Sequence, residues 1–166
     1  MATSRWGDVV VALAAKLRAV SGYRDPDTRG TGIPVFIGSQ VGLSDQTADS
    51  FVVIAWSGDP DSPEDAGDWS QEVAGHAASS RPRNEIGYVR YRVQIYRGDR
   101  DVSAAFTACM DVLADLETSV RDDPYVGLGA ASNLRWTQVT EGSPRLLLDQ
   151  GVVCSVEGRL RYEARL

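Results

Sequence analysis

The residues that could do chemistry in this 166-residue chain are few and scattered. The one histidine, His76, sits between Gly75 and Ala77, and no cysteine stands near it at the spacing a zinc site requires. A serine-histidine-aspartate triad would have to use it, yet no Gly-x-Ser-x-Gly turn exists to present the serine. The acidic run Asp59-x-Asp61-x-Pro63-x-Asp65 has the outline of a calcium loop. Glu64 stands where that loop needs a turn-making glycine and Ser70 where it needs a bidentate glutamate, so a solvated acidic loop is the expectation. Gly127-x-Gly129-x-x-Ser132 lacks a third glycine and precedes a strand, the wrong order for a dinucleotide fold. The only lysine, Lys16, falls in a helical stretch, which leaves no phosphate-cradling loop. No catalytic, metal or cofactor site is expected from these residues.

Charge narrows the partners. A net charge of −6 argues against a general nucleic-acid binder, because phosphate affinity comes mainly from basic surface. It argues equally against an anionic membrane surface as partner. Two cysteines, Cys109 and Cys154, make no disulfide framework and fall on apolar faces, where buried free thiols are expected. The apolar run Val9 to Ala15 is too short for a membrane span and lacks the flanks of a signal peptide. A location inside the cell that makes the protein is the expectation.

The elements that must position these residues are legible from periodicity. A first helix is expected over Trp6 to Val20, with Val9, Val10, Leu13 and Leu17 in one stripe and Ser4 or Thr3 as cap. Tyr23 to Gly32 reads as a loop, Ile33 to Ile37 as a strand with Pro34 near its start, and Phe51 to Trp56 as a strand covered on both faces. Ser57 to Asn84, rich in proline, glycine and acid, is expected to project from the body as a long insertion. Glu85 to Arg97 alternates cleanly, Val89, Tyr91, Val93 and Ile95 one way, Tyr88, Arg90, Arg92, Gln94 and Tyr96 the other. A second helix follows, capped by Asp99 or Asp101, with Val102, Phe106, Cys109 or Met110, Leu113, Leu116 and Val120 as its stripe. A last hairpin is expected to turn at Gly142-Ser143-Pro144. These elements predict one α+β domain over residues 1–166. Its sheet is mixed or mainly antiparallel, of about five strands, with two helices packed on one face.

In the final strand Glu157, Arg159, Arg161 and Glu163 share a face. With Arg90 and Arg92 they make a mixed-charge surface, read as cross-strand ion pairing within the sheet, as a contact between subunits or as a nucleic-acid contact, whose attraction the acidic neighbours would largely cancel.

The middle of the chain carries a family resemblance. Val52-Val-Ile-Ala-Trp56 is followed by Gly58-Asp59-Pro60-Asp61, then Trp69-Ser70-Gln71-Glu72-Val73-Ala74-Gly75. Arg83-Asn84-Glu85 then leads into a strand ending in Arg97-Gly98-Asp99. Together with the first helix and Val35-Phe36-Ile37-Gly38, this resembles the tail terminator and tail-completion proteins of siphophages infecting actinobacteria. The resemblance implies a structural virion protein and no enzyme. It implies a homo-hexameric ring at the head-proximal end of the tail, assembled in the host cytoplasm. That ring would cap the tail tube, stop its polymerisation, receive the head connector and let DNA pass without specific binding. Arg90, Arg92, Arg159, Arg161, Glu157, Glu163 and Trp69 are then the expected interface residues with neighbouring subunits or the tail tube. Asp59, Asp61, Glu64, Asp65 and Asp68 are expected in a lumen-lining or docking loop. A head-completion or tail-tube protein is the near alternative. The alternative from another class is a small enzyme or ligand-binding module with its site around Asp59, Asp61, Trp69 and His76.

Overall fold

In a computed structural model, residues 4–38, 50–59, 62–63, 66–73, 83–130, 134–148 and 150–166 are described. The elements run α1 (Trp6–Arg18), β1 (Tyr23–Arg24), β2 (Ile33–Ile37), β3 (Phe51–Ile54), β4 (Gly58–Asp59), β5 (Ser62–Pro63), β6 (Gly67–Val73), β7 (Arg83–Arg97), α2 (Val102–Asp122), β8 (Leu134–Leu148) and β9 (Val152–Arg165). The fold is α+β. Among the described residues one mixed sheet runs β1-β2-β3-β7-β9-β8, with β6 also on β7. It has seven strands where about five were expected, because β1 and β6 lie in stretches whose polar and glycine content reads as loop. The β1–β2 and β2–β3 pairs are parallel and the rest antiparallel.

Both helices cover one face. α1 lies over β1, β2, β3 and β7, α2 lies over β7, β8 and β9, and the two helices touch. The core between them and the sheet takes Val9, Leu13 and Leu17 from α1 and Cys109, Val112 and Leu116 from α2. The sheet answers with Val89, Tyr91, Val93, Cys154, Val156, Leu160 and Tyr162, the alternate residues that the period of two turns inward. Phe51, Val53 and Trp56, with Phe36 against them, form a separate small apolar cluster. That second cluster explains why β3 is apolar at every position.

Polar ties fasten the helices to one another and to the sheet edge. Lys16 donates to Asp123 at 2.8 Å, and the Tyr23 hydroxyl donates to Asp115 at 2.8 Å. Asp101 caps α2 by accepting from the Ala104 amide, as its composition predicts. At α1 the cap residue is Arg5, whose side chain caps no helix amide and donates to Asp8 at 2.8 Å, while Ser4 accepts from the Trp6 amide. Thr3 lies outside the described residues. On α2 the inward stripe is Ala105, Cys109, Val112, Leu116 and Val120, whereas Val102 and Phe106 are exposed. The apolar arc of this helix is wider than its buried face.

Two expectations are corrected. Gly142-Ser143-Pro144 is not a turn: all three residues lie inside β8, opposite Gly158, Glu157 and Val156. β8 is an edge strand, and an edge strand can hold a proline because one side of its ladder is open. The chain reverses instead between Leu148 and Val152. The stretch 57–84 is likewise not one projecting loop, because Gly67–Val73 pairs with Val89–Arg83 as β6.

β3 and β6 occupy the same edge of β7 end to end. β3 pairs with residues 91–94 of β7 and β6 with residues 83–89. Between them Ala55 adopts φ +62°, which turns the chain out of the sheet. The Trp56 amide donates to the Arg90 carbonyl and the Arg90 amide donates to the Ala66 carbonyl, both at 3.1 Å. The two segments are one long strand, interrupted at Arg90 by an excursion that carries the short β4–β5 pair.

Candidate functional site

The face of the sheet away from the helices carries the arginines. The β7–β9 register sets Arg90 opposite Arg159 and Arg92 opposite Glu157. The Arg92 guanidinium lies 4.9 Å from the centroid of the Trp56 ring, a cation–π contact. It also reaches Glu157 at 3.6 Å and donates to Gln94 at 3.0 Å. Arg161 donates to Glu163 at 2.6 Å, two positions along the same strand. Trp56, Arg90, Tyr91, Glu157, Gly158 and Arg159 line a shallow dent of about 160 Å³. Such a dent suits a side chain or a small anion better than a drug-sized ligand, whose pockets start at roughly 300 Å³. Pairing within the sheet thus accounts for Arg92 with Glu157 and Arg161 with Glu163.

The other expected residues separate. Trp69 is on β6 opposite Gly87 and 52% exposed, with its ring centroid 6.2 Å from that of Trp6 on α1. It therefore stands with the helices and not with the arginines. Asp68 is not a loop residue: it is exposed on β6, opposite Tyr88. Asp59 lies in β4, paired in register with Ser62 of β5. Asp61, Glu64, Asp65 and His76 lie outside the described residues. The glycines after α2 make a turn in which Asp123 accepts from the amides of Tyr125 and Gly127, with Gly127 and Gly129 at positive φ. Those amides hold a carboxylate of the chain itself.

A second polar cluster escaped the reading of motifs. Glu85 on β7 is fully buried. Its carboxylate accepts from the Ser4 hydroxyl at 2.9 Å, the Arg5 amide at 2.9 Å, Gln71 Nε2 at 2.9 Å and the Tyr162 hydroxyl at 2.7 Å. A buried carboxylate is tolerated only with such a set of donors, and the N-terminal end of α1 adds a favourable dipole. Burial, and then the bond to Glu85, raise the Tyr162 phenol well above its ordinary value. Gly87 makes room for this tyrosine, since a Cβ there would lie 2.3 Å from its ring. The available signal was parity: Glu85 is in phase with Val89, Tyr91, Val93 and Ile95, so an ionisable residue sits on an inward face.

The two cysteines are free and buried, as expected, with Cys109 Sγ 3.8 Å from the Cys154 carbonyl oxygen. Burial pushes the Cys109 thiol up to about 12, which suits packing and not nucleophilic chemistry. Among the described residues no group of histidine, cysteine and acidic side chains could hold a metal ion. None of their helices is long and apolar enough to cross a membrane. No protein-family model matches the chain, and no curated protein matches it.

Proposed function

We propose that this protein is a structural ring subunit of the tail-terminator kind. It would cap a phage tail tube, stop its polymerisation and join it to the head connector, as a homo-hexamer at the head-proximal end of the tail. The observation that carries the reading is the helix-free sheet face, on which Arg90, Arg92, Arg159 and Arg161 alternate with Glu157 and Glu163. A closed ring needs two different patches per subunit, meeting head to tail. The charged face supplies one patch with fixed geometry, because its side chains stand on two long paired strands. The exposed Trp69 beside Trp6 supplies apolar surface at a different place on the molecule. The sequence resemblance supplies the address: tail tube below, connector above, with DNA passing through the lumen unbound.

The test is solution mass followed by negative-stain imaging, alone and with tail tubes. Six-fold rings seated on tube ends are the expected result, and reversing Arg90, Arg92, Arg159 and Arg161 together should abolish them. Tubes that elongate unchecked in the presence of the folded protein would overturn the reading.

A further inference from the structure

Three neighbouring leucines are the largest exposed apolar feature among the described residues: Leu146, Leu147 and Leu148 are 49%, 65% and 66% exposed. They end β8, whose outer edge pairs with no strand among the described residues. Leu146 and Leu148 are in register with the inward residues Cys154 and Val152, so they project on the helix side, while Leu147 projects on the other face. On the helix side α2 continues the patch with Val102 and Phe106, 38% and 39% exposed. Scaled by side-chain size, these five expose on the order of 400–500 Å² of apolar surface, about the apolar share of one side of a standard interface.

What covers this patch must shield both faces of a strand. A helix laid over α2 and β8 would leave Leu147 in water. An added strand, pairing along the open edge, places side chains beside the leucines on both faces. The edge is prepared for one. Pro144 fits the β8–β9 ladder with its nitrogen turned away from β9, and the period of two turns the N–H and C=O of Leu146 and Leu148 the same way. The segment reads Arg145-Leu-Leu-Leu-Asp149, basic at one end and acidic at the other. Reversed on itself about Leu147, it sets Leu146 opposite Leu148 and Leu147 opposite its own copy. The outward backbone groups of Leu146 and Leu148 then form the hydrogen-bonded pairs, so the backbone and the apolar side chains demand the same register.

We infer that β8 pairs with β8 of a second copy of this chain, antiparallel and centred on Leu147, continuing the sheet across a two-fold axis. The inference does not rest on the ring reading, because a polar ring uses head-to-tail contacts and this pair is symmetric.

A cysteine in place of Leu147 tests the register directly, since opposite residues at a non-hydrogen-bonded pair bring their Cα atoms to about 4.5 Å, within disulfide reach. Full-length Leu147→Cys should give a reducible band at twice the chain mass under mild oxidation, while Val11→Cys, on the exposed side of α1, should give none. By sedimentation, Leu147→Arg should weaken self-association at least tenfold, while Val11→Arg should leave it unchanged. A folded chain that stays monomeric at about 100 µM, or a Leu147→Cys variant that never links to its own copy, would overturn the inference. Rings that cap tails without this link would overturn it and leave the ring reading standing. A linked pair that never caps tails would do the reverse.

Discussion

The β7–β9 ladder presents charged residues on both of its faces, and the two faces use them in opposite ways. On the helix side a single carboxylate, Glu85, is wholly buried and accepts four hydrogen bonds drawn from the start of α1, from β6 and from β9. On the open side Arg92, Arg161, Glu157 and Glu163 pair along the sheet and remain partly in water. Removing one of the two buried members, Glu85 or Tyr162, leaves the other short of a partner where water does not reach. Removing one from the open set lets water take its place. Charge on the first face therefore fixes architecture, and charge on the second is paired within reach of water.

The largest test of this contrast is Glu85→Ala, which should cost about 3–5 kcal/mol by chemical denaturation, because it leaves the buried Tyr162 phenol, and the partly buried bonds of Ser4, Arg5 and Gln71, without their acceptor. A loss under about 1 kcal/mol would mean that water or a neighbour replaces the carboxylate, and the two faces would no longer differ. Gly87→Ala comes next, at about 2–3 kcal/mol, since the added methyl overlaps the Tyr162 ring. Tyr162→Phe should cost about 1–2 kcal/mol, the worth of one buried hydrogen bond.

On the open face Arg92→Ala should cost under about 1 kcal/mol and should lose even that at high salt. A cost as large as that of Glu85→Ala would make the open face part of the framework.

A pH titration adds the smallest effect. The bond from Lys16, first among its causes, holds the Asp123 carboxyl below the usual carboxylate range. Its folded value lies below its unfolded value, so its contribution is complete above roughly pH 4 and is lost as pH falls through the lower folded value. Lys16→Met should lower stability at neutral pH by under about 1 kcal/mol and flatten this part of the acid limb. An unchanged acid limb would show that the turn amides of Tyr125 and Gly127 hold the carboxylate by themselves.

Several features of the molecule were already written in local patterns. The alternation of Val89, Tyr91, Val93 and Ile95 identified the inward face of β7, and the helical spacing of Val9, Leu13 and Leu17 identified the buried stripe of α1. Asp101 announced the start of α2. These are properties of a period or a cap, decided within a few residues of the chain. The candidate site was legible only in part. Arg92 opposite Glu157 follows from strand register, but Trp56 joins Arg92 only because β3 is interrupted at Ala55.

What the chain alone determined, then, is which residues alternate, which cap and which avoid water. Tertiary structure decided the rest. Gly142-Ser143-Pro144 has turn composition, yet β8 holds it because an edge strand can leave the proline nitrogen unpaired. Gly67–Val73 has loop composition, yet it becomes β6 because β3 covers only half of β7 and leaves hydrogen-bonding groups that a strand can satisfy. Parity puts Glu85 on the inward face of β7 but does not say what satisfies its carboxylate. It is buried because Ser4, Gln71 and Tyr162, up to 81 positions away, converge on it as donors, and no local pattern encodes a convergence of that kind.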